Sequence, residues 1–408
     1  MFRLRLAYLF TTFPEASETF LQREVRAMRE LPVDFTLHSL WGGKEQWETL
    51  PVSRYPKARL LMLVWLLPYW AWHKSRVMLE VCEVLTRRPP PSLLNLAENL
   101  LGLGFALTEA RRLKHRARRP HLCHAVWATA PCAAAWMLER LLGIPYTMGA
   151  HAFDVFQDGG DWLLEEKLRC ARLVHTTTAQ ARTRLVACGA EIRHVTLIRR
   201  GLDEILPLPP RRVPGETIHL LAVGRLVRKK GYMHLLRILR HLRQNGVAFQ
   251  CVIVGRGPLA ADLHARVREY ALSKQVHLVG SLEYPEVAAL QREWADAFLF
   301  TGVVAPDGDR DGLPNVIPEA MAAGLPVVTS PVAGTTEAIT DGETGLVAAL
   351  DNLPAWHDAI LRATRDAPFA ERIRTNAHAW VRENFDARRN AARLAEAVRH
   401  AVLGQRVE

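Results

Sequence analysis

The sequence predicts an α/β protein of two doubly wound, parallel-sheet domains, and three observations carry that expectation. Short apolar runs of strand character alternate with stretches of helical spacing along most of the chain. A proline-rich segment, residues 206–215 (LPLPPRRVPG), interrupts the alternation near its middle. The 408 residues suffice for two to three domains at a usual size of about 150 residues each.

In chain order, strands are expected at residues 4–10, 33–40, 122–127, 144–148, 173–176 and 195–198, with a helix over 19–29 after the first. An irregular insertion occupies about 41–120. Beyond the proline-rich segment, strands are expected at 218–223, 249–254, 276–279, 297–301 and 326–329. Between the first two of these, Met233, Leu236, Leu239 and Leu242 share one helical face. The last 25 residues, rich in Ala, Arg and Glu, read as a final helix. The domains are therefore set at 1–205, with the insertion, and 206–385, followed by a C-terminal helix over 386–408.

Composition narrows the function classes. Hydrophobic residues make up 49% and charged residues 23%, which excludes a disordered or low-complexity chain. Six cysteines without a CxxC pair exclude a disulfide scaffold and read as reduced thiols of a cytoplasmic protein. The net charge of +11 favours acidic partners such as phosphorylated ligands, nucleic acid or an anionic membrane face, without choosing among them. The first ten residues lack the apolar core and cleavage site of a secretory leader. The longest apolar run, residues 60–72, holds Pro68 and falls short of the roughly 18–20 residues of a spanning helix.

Ligands of parallel sheets gather where strands end and helices begin, and three such turns stand out. In the first, Gly224-Arg225 is followed by Arg228, Lys229 and Lys230 beside a helix start, an arrangement suited to a diphosphate; a solvated basic loop is the plain alternative. The second, Gly255-Arg256-Gly257 with Ala260, matches the dinucleotide pattern GxGxxA in letters. No acidic residue ends the next strand at the required distance, Glu283 lying too far on, so a tight strand-to-helix turn is the better reading. The third runs from Asp307 to Val328. In it Asp311 and Glu319 lie eight residues apart across a Gly/Pro loop that opens a helix, where the carboxylates can accept from sugar and ribose hydroxyls and the amides of Asn315, Val316 and Ile317 can face phosphate. Its plain alternative is an acidic loop before an Ala-rich core helix. His151 follows the strand at 144–148, again at a strand's C-terminal end. Asp307-x-Asp309 is read as a solvated loop, and His121-x-x-His124 as no metal site, because that spacing puts the rings on opposite faces of a strand.

GRLVRKKG, VGRGP and DGLPNVIPEAMAAGLPVV, with Gly334-x-x-Glu337 and Asp341-Gly342-x-Thr344-Gly345 after them, resemble the donor half of family 4 retaining glycosyltransferases. In the first half, Tyr8-Leu9 with Phe13-Pro14, Ser17-Glu18-Thr19-Phe20 and Glu24, and later Gly149-Ala150-His151-Ala152-Phe153-Asp154, resemble a subgroup of colanic acid and amylovoran type. The resemblance covers about residues 4–350 and implies the GT-B fold, two facing Rossmann-like domains with a cleft between them. It also implies that the last helix returns to the first domain. It implies that Arg225 and Lys230, with Gly224 and Gly255 in their turns, bind the donor diphosphate, Glu319 the ribose and Asp311 the transferred sugar. His151 would sit beside that sugar. The family's first acidic position is usually Glu, so Asp311 departs by one methylene. The implied donor is a UDP- or GDP-linked sugar, the acceptor a lipid-linked glycan, and no essential metal or other cofactor is expected. A catalytically silent partner protein is the alternative, and an NAD oxidoreductase rests on the GxGxxA letters alone.

The insertion adds a signal. Residues 59–76 join three tryptophans and a tyrosine to flanking cations, and residues 111–119 form a basic run. Both suit an anionic membrane surface; a core helix and a solvated helix end are the alternatives. Nucleic-acid binding is disfavoured, since the run has no interleaved aromatics. The expected location is the cytoplasm, with peripheral attachment to the inner face of the cell membrane.

Overall fold

The structure, a computed structural model, describes residues 4–15, 18–115 and 119–403. Ser17 of the first-half motif and residues 116–118 of the basic run lie outside the described residues. The chain divides into two units, one of Met1–Gly201 with Ala387–Glu408 and one of Leu202–Asp386.

In the first unit, β1 (Leu4–Phe10), β2 (Val33–Ser39), β3 (Gln46–Trp47), β4 (Leu50–Arg54), β5 (Leu122–Ala125), β6 (Tyr146–Gly149), β7 (Leu173–Thr176) and β8 (Val195–Leu197) form one sheet in the order β3-β4-β2-β1-β5-β6-β7-β8. Every pairing is parallel except the β3–β4 hairpin. β5, β6 and β7 are buried along their whole length, as strands covered on both faces must be. The expected irregular insertion is in fact ordered. It supplies the hairpin and then helices over Leu63–His73, Ser75–Thr86 and Leu93–Leu113. The last is 21 residues long and starts at Ser92, whose hydroxyl accepts from the Asn95 amide. Its apolar residues go all the way round, so no single-face periodicity announced it. The helix Ala387–Leu403 buries Ala391, Leu394 and Val398 in the same core as Leu6, Leu21 and Val25.

The second unit holds β9 (Ile218–Val223), β10 (Phe249–Val254), β11 (Val276–Gly280), β12 (Ala297–Phe300), β13 (Val327–Thr329) and β14 (Leu346–Val347), all parallel, in the order β11-β10-β9-β12-β13-β14. This is the 3-2-1-4-5-6 order of a Rossmann sheet. The helix Tyr232–Gln244 buries Leu235, Leu236, Ile238, Leu239 and Leu242, a wider stripe than the sequence pattern offered, and Met233 lies at its margin. Residues 206–215, the proline-rich segment between the two halves, are strapped to this unit. His378 donates to the Leu206 carbonyl (2.9 Å), Arg211 to that of Thr364 (2.6 Å), and Arg374 and Arg212 to those of Pro209 and Trp294. Proline here removes backbone donors, and carbonyls facing arginines are what remain to be satisfied.

Candidate functional site

The strand order of the second unit reverses between β9 and β12, so the loops leaving their C-terminal ends part from one another there and open a natural binding crevice. The loop after β9 carries Gly224, Arg225, Lys229 and Lys230; the loop after β12 carries Asp309 and Asp311. Two glycines let these loops and their neighbours touch. Gly231 has φ +68°, and a Cβ there would come 1.7 Å from the Thr301 carbonyl oxygen, while the Thr301 hydroxyl donates to Gly231 at 3.0 Å. Gly255 has φ +148°, and its Cβ would come 1.9 Å from the Gly224 carbonyl oxygen. The letters GxGxxA thus serve contact between neighbouring turns, which accounts for them without a dinucleotide.

Within this crevice the cations and the carboxylates are already paired. Lys230 Nζ lies 2.8 Å from Asp311 Oδ2, and Lys229 Nζ lies 3.0 Å from Asp309 Oδ1 and 3.8 Å from Asp311 Oδ1. The Lys230 ammonium also sits 5.3 Å from the centre of the Phe300 ring. Burial alone would raise the Asp311 carboxyl, but the ammonium groups of Lys230 and Lys229 and the Arg225 guanidinium outweigh it and hold the carboxyl below its usual value. Arg225 itself is exposed.

Sequence reasoning missed the second pair. Asp309 is not part of a solvated loop: its carboxylate holds the buried Lys229, and its backbone carbonyl accepts from the Ala305 amide at 2.8 Å. The signal available was the lysine doublet opposite an acidic doublet, but pairing across 80 residues is set by the sheet order rather than by local spacing. Asn315 precedes the helix Val316–Ala322, which buries Ile317 and Pro318 and leaves Val316 and Glu319 half-buried. One expected phosphate donor changes role, because the Ile317 amide donates to the Pro314 carbonyl at 3.0 Å; closing the helix's first turn takes it. The Gly334 amide donates to the Gly312 carbonyl (3.0 Å), so the Gly334-to-Glu337 turn supports the Asp311 loop.

His151 belongs to the first unit, directly after β6, and is only 4% exposed. Asp154 fixes its loop by accepting from the amides of His151 (3.0 Å), Ala152 (2.9 Å) and Ala128 (3.1 Å), tying the turns after β5 and β6 together. Neither ring nitrogen of His151 has a hydrogen-bond partner among the described residues. Burial first, then Arg200, His175 and His124, pushes the imidazole far below its ordinary pKa, so it is neutral at pH 7. Its ring lies 5.4 Å from Trp127 and 4.9 Å from His175. The surrounding knot includes the Arg200–Glu24 ion pair, Tyr8 donating to Glu24 at 2.7 Å, and Arg200 4.6 Å from the Phe20 ring. Tyr8, Phe20 and Glu24 come from the first-half motif; Arg200 and His175 stand in no motif and were not legible beforehand.

Residues 209–380 match the family described as glycosyl transferases group 1. Two parallel-sheet Rossmann-like units make the fold GT-B, and the family match lies within the second unit. Over 214 residues, 52% of this chain and 52% of the relative, the sequence is 32% identical to the amylovoran biosynthesis glycosyltransferase AmsK of Erwinia amylovora. The chain spans about half the length of the curated relatives it matches. Among solved structures, sucrose-phosphate synthase from Thermosynechococcus elongatus superposes with a TM-score of 0.74 at 19% identity, over 99% of this chain and 100% of that one. Anabaena HepE in complex with UDP and glucose superposes with a TM-score of 0.67 at 16% identity, over 97% and 100%. At these identities the two structures establish the fold.

Proposed function

We propose that this protein is a retaining glycosyltransferase that moves a sugar from a nucleotide-sugar donor to a lipid-linked glycan acceptor in exopolysaccharide or cell-envelope polysaccharide biosynthesis. The observation that carries the reading is the crevice between β9 and β12, where Lys230 and Asp311 face each other at 2.8 Å beside Arg225. A nucleoside diphosphate needs cations in a partly desolvated place, and a bound hexose needs a fixed carboxylate acceptor for its hydroxyls. Both stand within one side chain's reach.

In this reading Lys230 and Arg225 neutralise the diphosphate, and the Asn315 and Val316 amides extend the same anion site. Asp311 accepts from the transferred sugar and Glu319 from the ribose. The bond between the anomeric carbon and the phosphate oxygen breaks, with its electron pair leaving on the diphosphate, where the cations stabilise the developing charge. The acceptor hydroxyl attacks the same face, and its proton passes to the departing phosphate oxygen. The solved HepE complex with UDP and glucose favours a UDP-linked donor, with GDP as the alternative. No metal is required, since the lysine and arginine cations take its electrostatic role. The protein would work in the cytoplasm, on the inner face of the membrane that holds its acceptor.

The rival reading, a silent partner that keeps the fold, is favoured by one observation: Asp311 stands where the family usually has Glu and is already closed on Lys230. Incubation with a panel of UDP- and GDP-sugars, monitored for nucleoside diphosphate release, separates the two. Release from one donor supports the transferase, and no release from any donor supports the silent partner.

A further inference from the structure

The helix Leu63–His73 is apolar on every side, yet the described residues cover only one of its faces. Its inner face is seated on the helix Leu93–Leu113. Leu66 and Trp70 are buried, the Trp70 indole donates to the Leu107 carbonyl at 2.9 Å, and Leu60 and Leu63 lie over Gly104. The outer face carries Val64, Trp65 and Trp72, which are 69%, 80% and 85% exposed, and Leu61 in the 3-10 turn just before the helix is 75% exposed. Leu61, Trp65, Pro68 and Trp72 follow the four-three-four spacing of a single helical stripe, and residues 60–72 contain no charged side chain. On the supporting helix Leu93 and Leu100 are exposed as well. A helix that is hydrophobic all round belongs in a core or against lipid, and a contiguous apolar surface of this kind marks an interaction site.

The charges around it say what covers it. Lys57 packs 3.3 Å from the centre of the Trp41 ring at one end, and Lys74 and Arg76 follow the helix at the other. Arg111 lies 5.0 Å from the centre of the Tyr69 ring. This contact joins the two segments that the sequence offered separately, since Arg111 opens the basic run of residues 111–119. The carboxylates nearby are engaged locally: Glu109 with Arg59 and Arg112, and Glu80 with Arg76 and Arg140. An apolar stripe with two exposed indoles inside a collar of cations is the pattern of an interfacial helix on an anionic bilayer.

We propose that the Leu61-to-Trp72 face docks this protein onto anionic lipid, with Trp65 and Trp72 at the headgroup level and Lys57, Lys74, Arg76 and Arg111 meeting the lipid phosphates. The proposal gives the lipid-linked-acceptor reading its membrane contact, but the binding itself requires neither donor nor turnover. The test is flotation of the full-length protein with vesicles of phosphatidylcholine containing one third phosphatidylglycerol, beside vesicles of phosphatidylcholine alone, without nucleotide sugar. The protein should float with the anionic vesicles and be released by high salt. Trp65→Ser with Trp72→Ser should lower the partition coefficient about tenfold or more, given the loss of two indoles' apolar area, with unchanged circular dichroism and unchanged nucleoside diphosphate binding. Lys74→Glu with Arg76→Glu should remove the preference for anionic lipid. Failure of the parent to float, or flotation of the tryptophan variant equal to the parent, overturns the proposal. So does a parent dimer that the tryptophan changes convert to monomer without any lipid binding, since a second copy is then the occupant. None of these outcomes touches donor hydrolysis, so the transferase reading stands or falls separately.

Discussion

Removing the Lys230 charge should affect stability and binding in ways that Asp311 substitutions can separate. In Lys230→Ala the Asp311 carboxylate loses its 2.8 Å partner and keeps Lys229 at 3.8 Å and the attraction of the Arg225 guanidinium. Breaking a fully buried pair costs about 3–5 kcal/mol, and residual solvent access and the remaining Lys229 reduce that to roughly 1–3 kcal/mol. The pH dependence follows from the sign of the shift. Because Lys230 helps hold the folded-state carboxyl below its unfolded value, the pair's contribution is present above that unfolded value and is lost as pH falls through the folded one. The deficit of Lys230→Ala should therefore be full at pH 7 and shrink below about pH 4. Lys230→Ala should weaken UDP binding about tenfold or more, through the loss of one charge-assisted contact of roughly 1.5–3 kcal/mol. Asp311→Asn should do the opposite to binding. It frees Lys230 for the diphosphate and removes a negative charge from the crevice, so UDP should bind as tightly as to the parent or more so, while sugar transfer is lost. Calorimetric titration with UDP and chemical denaturation of both variants and their combination give the coupling directly. If Asp311→Asn weakens UDP binding as much as Lys230→Ala does, the pair is a structural strut and the clamp argument fails.

Three further outcomes are expected. Gly255→Ala should destabilise the second unit by about 2–4 kcal/mol, because its Cβ meets the Gly224 carbonyl at 1.9 Å and its φ is positive; an unchanged denaturation midpoint would contradict the loop contact. Glu319→Gln should keep the fold and lose most turnover, and near-parental turnover would make Glu319 a helix residue only. Burial depresses His124 to about 3 and His175 to about 4, so the unfolded chain takes up protons first: the first unit's stability should be full above about pH 6.5 and decline towards pH 4. His124→Gln should flatten that decline in thermal melts, at the cost of the 2.8 Å contact between His124 Nδ1 and the Thr147 hydroxyl.

The second half of the fold was legible because β9 to β13 are short apolar runs that meet a glycine or proline at their end or within two residues of it; the two-residue β14, followed by alanines, was not expected. The expected runs at 218–223 and 249–254 coincide with β9 and β10. The insertion was not legible, since the helices Leu63–His73 and Leu93–Leu113 are apolar on all sides and carry no amphipathic period. Candidate site residues in loops beside glycines stand out by their spacing; the partners that distant strands bring to them do not. Asp311 and Lys230 were each visible, but their pairing depends on β9 and β12 being neighbours. Lys229 with Asp309, and Arg200 with Glu24, were hidden for the same reason, because contacts across 80 and 176 residues are products of sheet order.

The central claim is that the crevice between β9 and β12 holds a nucleotide sugar and releases its nucleoside diphosphate. The most direct measurement is nucleoside diphosphate release by the parent and by Asp311→Asn across a panel of UDP- and GDP-sugars, at donor concentrations where both proteins are saturated. The parent should release nucleoside diphosphate from at least one donor and Asp311→Asn from none, although the variant binds UDP. Equal release by both proteins, or no release by a parent that binds UDP tightly, would contradict it.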